Sequence, residues 1–186
     1  LREVDLGQGV KEIGAYAFFR TSIEELICPS SLAKIGAKAF ASSKMREIRW
    51  NSELEYIGEQ AFACTNIGSF PMPPSLVSLG PKAFWRTKIS FENQASSSKH
   101  TNDHLAITHG CLYEKRKDGL VLIECLSNER SCQIEPGTIE ISAEAFDGDS
   151  SLESVIVPEG VVSIGDRAFR FCEKLRQVQL PDRLQQ

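Results

Sequence analysis

One hexapeptide recurs six times along this chain and limits what it can fold into. Ile13-Gly14-Ala15-Tyr16-Ala17-Phe18 returns at 35–40 and 57–62, and again as Leu79-Gly80-Pro81-Lys82-Ala83-Phe84. Two further copies run Ile141-Ser142-Ala143-Glu144-Ala145-Phe146 and Ile164-Gly165-Asp166-Arg167-Ala168-Phe169. The Phe residues step by 22, 22, 22, 62 and 23, so six of the ten Phe share one structural position. A period near 20 residues is the signature of a solenoid, in which one unit cannot bury its own apolar face and stacks on its neighbours.

A second apolar pair precedes each hexapeptide: Val4 and Leu6, Leu26 and Cys28, Ile48 and Trp50, Phe70 and Met72, then Cys132 and Ile134, Val155 and Val157, Val178 and Leu180. Apolar residues two apart predict a short strand with one buried face. Pro29, Pro73, Pro158 and Pro181 follow these strands, where a missing N–H stops further pairing. Each unit therefore reads as a strand, a turn, an extended segment ending at Ile-Gly, and a short helical turn carrying Ala-Phe. The repeated Gly suits a backbone bend or a close approach between coils, and Ser142 in its place predicts a perturbed coil. Like positions stack about 4.8 Å apart in the strand layer.

This pattern resembles the BspA-like, or Treponema-type, leucine-rich repeats, whose unit is a strand, Pro, then Ile-Gly-x-x-Ala-Phe-x-x-Cys. Cys172 stands at the family's Cys position and Cys64 lies close to it. The resemblance implies an α/β repeat solenoid: a leucine-rich-repeat right-handed superhelix of seven or eight coils, with short strands on one face and an inserted β-hairpin. It also implies a non-enzymatic, adhesin-like protein-binding module of a larger surface or secreted protein. The competing expectation is a cytoplasmic scaffold or a structural subunit of a large assembly.

Three segments follow: repeats over 1–91 in four coils, an irregular loop plus β-hairpin over 92–131, and about two and a half coils over 132–186. The gap of 62 leaves room for one additional coil. Asn93 to Asp103 is polar and Ser-rich, which predicts a flexible loop. Cys111-Leu112-Tyr113 and Leu120-Val121-Leu122-Ile123 flank Asp118-Gly119, which predicts the hairpin. It would act either as a protruding recognition element, through Tyr113, Lys115, Arg116 and Lys117, or as an embedded structural coil. Both ends of the sequence open in mid-array, so an excerpt of a longer array is expected. Leu1 begins directly on patterned sequence, and no signal peptide is expected within it.

Twenty-one Lys and Arg against 25 Asp and Glu give a net charge of −4. That balance argues against nucleic acid, whose phosphates demand a basic stripe. No apolar run reaches the roughly 18 residues that suggest a membrane-spanning helix.

The six Cys contain no C-x-x-C. Four of them fall in core slots, where a thiol behaves as a small hydrophobe. Cys111 and Cys125 fall on the two hairpin strands and could face each other as a disulfide. His100 and His104 would share a helix face as metal ligands if a helix formed, but their Ser/Asn/Asp context favours a loop. A His109–Cys111 nucleophilic pair lacks an oxyanion pocket. No cofactor, metal or catalytic residue is expected.

The exposed strand face is then the candidate ligand surface: Glu3, Asp5, Glu25, Ile27, Glu47, Arg49 and Ile156. Glu3, Glu25 and Glu47 would form a carboxylate column at strand spacing, open to a cationic ligand. Arg2, Glu24, Arg46, Arg130, Glu153 and Arg176 alternate in sign at the preceding position and could relieve that repulsion locally. The expected partner is a protein, such as a host or matrix protein, with a glycan as the second class.

Overall fold

The computed structural model describes residues 2–89, 100–127, 129–182 and 184, apart from the side chains of Glu3 and His100. The chain forms two compact units, one of 2–89 with 100–104 and one built from 105 onward.

In the first unit, β1 (Glu3–Val4), β3 (Glu25–Ile27) and β5 (Glu47–Arg49) form one parallel ladder. A second parallel ladder joins β2 (Glu12–Ile13), β4 (Lys34–Ile35), β6 (Tyr56–Ile57) and β7 (Ser78–Leu79). Strands thus line two sides of each coil rather than one. The return segment ending at Ile-Gly is itself extended, so its backbone groups pair with the equivalent segment one coil away. Pro71 falls within the fourth first-strand position and Pro73 just after it, and no strand forms there although Phe70 is fully buried.

The Ala-Phe segment is not helical, and no helix is present among the described residues. The fold is an all-β repeat solenoid, correcting the α/β expectation. The reason lies in the backbone. Tyr16, Lys38, Gln60, Lys82, Glu144 and Arg167, each two residues before the repeat Phe, have φ of 52–61°. Arg20, Ser42, Cys64 and Arg86, two residues after it, have φ of 54–57°. A right-handed helix cannot continue through a left-handed residue every fourth position. Such residues cost roughly 1–2 kcal/mol each, and hydrogen bonds between coils offset this. The amides of Tyr16, Phe18 and Arg20 donate to Ala37, Ala39 and Ala41 of the next coil, while those of Ala17 and Phe19 close local turns. Three of these five donors therefore bind coil to coil.

This geometry explains the repeated Gly. A Cβ on Gly36, Gly58 or Gly80 would lie 2.4–2.6 Å from a backbone nitrogen of the neighbouring coil. Close approach, not a positive φ, excludes a side chain. Phe18, Phe40, Phe62 and Phe84 stack in one column, with centroids 5.1–5.6 Å apart and planes within 15° of parallel. Ile23, Leu26, Leu32, Ile35 and Met45 fill the interior beside it.

Asn51 caps the turn of the coil before it, its side-chain amide donating to the carbonyls of Pro29 and Leu32. Asn102 does the same to Pro73 and Leu76. Residues 100–104 are therefore the start of the extra coil that the gap of 62 allows, with β8 at His100–Thr101. The loop expectation over 93–103 is corrected at His100 and Thr101, which form β8, whereas 102 and 103 lie outside any strand, with Asn102 re-creating the turn chemistry of Asn51; 93–99 lie outside the described residues.

In the second unit, β12 (Ser131–Gln133), β14 (Ser154–Ile156) and β16 (Gln177–Gln179) form the first ladder. The other sheet includes, in order, β15 (Ser163–Ile164), β13 (Thr138–Ile141), β11 (Gly119–Cys125), β10 (Cys111–Arg116) and β9 (Leu105–Thr108). The predicted hairpin is β10–β11, turning at Lys117 and Asp118. Its β11 pairs parallel with β13, so the hairpin is embedded in the repeat stack. Ser142 is explained by that pairing: its amide donates to Leu122 of β11, so the layer beneath it is a hairpin strand instead of a Gly-type turn. Gly165, one coil on, again has no room for a Cβ, which would lie 2.4 Å from the nitrogen of Ala143. Phe146 and Phe169 stack at 4.9 Å.

Candidate functional site

On the first unit's strand face, parallel pairing places Glu3 opposite Glu25 and Glu25 opposite Glu47, which makes the predicted carboxylate column a feature of the register. Of the alternating charges one position earlier, Arg46 forms an ion pair with Glu24; on the strand face itself, Arg49 lies 3.8 Å from Glu47. In the second unit Arg130 lies 3.6 Å from Glu153. Glu25 is exposed and has no ion-pair partner among the described residues.

Beside Glu25 lies a depression of about 580 Å³, lined by Val4, Asp5, Gln8, Glu25, Ile27 and Pro29 among others. Asp5, Glu25 and Ile27 of the candidate set meet there. Ile27 is 59% exposed, an apolar surface set between carboxylates. Asp5 also accepts the Gly7 amide at 2.8 Å, which fixes the turn forming the rim. Glu47 and Arg49 continue along the same ladder, whereas Ile156 lies on β14 of the second unit. Gln8 was not legible as a site residue, because it lies in a turn outside the strand pattern.

The hairpin candidates separate. Lys115, Arg116 and Lys117 are exposed near the turn, with Arg116 bound to Glu114 at 3.0 Å and to Glu140 at 3.1 Å. Tyr113 is fully buried, and its hydroxyl accepts the Glu135 amide at 3.1 Å. It cannot contact a partner. A register shift between Leu112 and Tyr113 and the embedding of β10 between two strands put it inside.

The thiols are arranged more closely than the sequence suggests. Cys111 and Cys125 do lie opposite each other, but the sulfur of Cys132 joins them, 3.5 Å from that of Cys111. All three sulfurs lie within 4.8 Å of one another. Hydrogen bonds from Cys111 and Cys125 draw the Cys132 thiol well below the usual thiol range, against the opposing effect of burial. Cys111 is pushed up by the same contacts and by its burial. A pocket of about 290 Å³ opens on Cys125 and Cys132, with His109, Ser127, Glu129 and Ser131 on its walls. His109 sits at φ 49° with Nδ1 3.4 Å from Glu135. The helix that a His100–His104 metal pair requires does not form; His100 is in a strand and His104 in a bend.

Stacked parallel ladders, a turn layer bonded coil to coil, an aromatic column and a glycine with no room for a side chain define a leucine-rich-repeat-type solenoid. The chain belongs to the BspA type leucine-rich repeat family, whose model matches six copies across residues 1–105 and 128–186. Among solved structures, it is similar to the pneumococcal vaccine antigen PcpA at 30% identity and a TM-score of 0.78, over 97% of this chain and 45% of that one. It is also similar to a leucine rich cell surface protein of Faecalibacterium prausnitzii, at 22% identity and a TM-score of 0.73, over 95% of this chain and 47% of that one. A leucine-rich repeat protein of Eubacterium ventriosum shares the fold at 16% identity and a TM-score of 0.64, over 93% and 58% of the two chains. The chain spans about half the length of the first two of these proteins. No curated protein matches it. No helix among the described residues is long and apolar enough to cross a membrane.

Proposed function

We propose that the chain is a non-enzymatic, protein-binding module of a larger surface or secreted protein, adhesin-like in role. The depression beside Glu25 carries this reading. It joins an exposed Ile to unneutralised carboxylates on a rigid strand ladder, and so suits a partner segment with an apolar side chain flanked by Lys or Arg. Family membership and the likeness to the pneumococcal antigen support a surface or secreted location.

Two experiments test it. Immobilised protein is assayed by interferometry against a panel of host matrix proteins and glycans. A specific protein ligand should lose at least about tenfold in affinity on combined Glu25→Lys and Glu47→Lys reversal, with a weaker salt dependence. If binding survives that change but is lost on Lys115→Glu, Arg116→Glu and Lys117→Glu together, the hairpin tip is the contact instead. A glycan as the sole ligand would replace the protein-binding reading. Protease shaving of intact source cells, read by mass spectrometry, tests location. Release of peptides from this chain only after lysis would sink the surface reading and favour an intracellular scaffold.

A further inference from the structure

We propose that Cys111, Cys125 and Cys132 form a metal site for a soft d10 cation, with Zn(II) the expected ion, that fastens the inserted hairpin to the first strand of the following repeats. The three sulfurs come from three strands: β10, β11 and β12. Zinc–thiolate bonds of about 2.3 Å at tetrahedral angles place sulfurs about 3.8 Å apart. The observed 3.5 Å contact, with all separations within 4.8 Å, brackets that spacing, so sub-ångström shifts suffice.

The surroundings point to a cation. Cys111 is fully buried and Cys132 is 7% exposed, yet the cluster is not sealed in apolar packing: its open side is the polar pocket that also holds His109. That pocket supplies an entry path and room for a water as the fourth ligand. The Asp149 carboxylate bears on Cys132 through its charge, and its Oδ2 is buried with no hydrogen-bond partner. One disulfide would use two of the sulfurs and leave the third as an uncoordinated thiol; a divalent ion engages all three sulfurs. Binding releases the thiol protons to solvent and involves no change of oxidation state.

The test uses the whole chain, reduced and handled without oxygen. Titration with Co(II) should give sulfur-to-cobalt charge-transfer absorption that saturates at one equivalent and is displaced by Zn(II). Cys111→Ser and Cys132→Ser should each weaken binding by more than about 100-fold, beyond what loss of an outer-shell contact costs. Cys28→Ser and Cys64→Ser should bind as the parent does. Because Cys111→Ser removes a buried group and could unfold the unit, the parent chain is also alkylated with and without Zn(II). Protection confined to Cys125 and Cys132, with Cys64 reacting throughout, supports the site. No stoichiometric uptake, uptake that survives Cys132→Ser, or a disulfide within the trio forming in preference to zinc binding when both are offered would each overturn it.

Discussion

The rings of Phe40 and Phe62 stack 5.4 Å apart and within 1° of parallel, although 22 residues separate them in the chain. Both are fully buried, and each also stacks on the next Phe along the column. Replacing Phe62 by Ala should cost about 3–5 kcal/mol, since coils held on two sides cannot collapse into the space. Phe18→Ala, at the end of the column and half-buried, should cost less. Chemical denaturation of the two variants checks the order.

Gly58→Ala sets a Cβ 2.5 Å from the nitrogen of Ala37 and 2.7 Å from the carbonyl carbon of Gly36, both backbone atoms. Parting two hydrogen-bonded coils should destabilise by roughly 1–3 kcal/mol or more. Gly14→Ala meets nothing within 4 Å and has no left-handed φ, so it should be neutral or stabilising by up to about 1 kcal/mol. Equal losses in thermal melts of both would rule out close approach as the reason for the glycine.

Asn51→Asp should destabilise at least as much as Asn51→Ala. The amide donates to two carbonyls, of Pro29 and Leu32; a carboxylate cannot donate and sets its charge against both oxygens. The Ala variant should cost about 1–3 kcal/mol for the two acceptors left unpaired. Asn102→Asp should behave alike at the carbonyls of Pro73 and Leu76, as measured by denaturant midpoints.

Burial pushes the Cys28 thiol up to about 12, against a smaller opposing effect of the Asn51 backbone amide. The unfolded chain releases this proton near 9. The contribution is therefore fully present below pH about 9 and is lost as pH rises toward 12, because the folded state retains a proton that the unfolded state gives up. Cys28→Ala should lower stability at neutral pH and flatten the decline between pH 9 and 11. A parallel decline in parent and variant would show that this thiol is not its source.

The hexapeptide and the apolar pair before it determined the coil and its register, and with them the alignment of Glu3, Glu25 and Glu47 along one ladder. Hydrogen-bond ladders and a Phe column demand the same residue at the same height in every coil, so the requirement is written as a period. Even the extra coil at 100–104 left a trace, in Asn102 as a counterpart of Asn51, though its Ser-rich prelude hid it. Three features were decided only in three dimensions. The Ala-Phe segment is a series of turns with a left-handed residue at every fourth position because alternate amides bond to the next coil, a preference that propensity within one coil does not express. Tyr113 is interior because β10 is flanked by β9 and β11 and shifts register beside it. Cys111, Cys125 and Cys132 meet through an antiparallel hairpin followed by a return to the repeat, a juxtaposition that has no fixed spacing along the chain. Local periodicity records contacts that repeat; a contact made once, between strands brought together by the fold, leaves no such record.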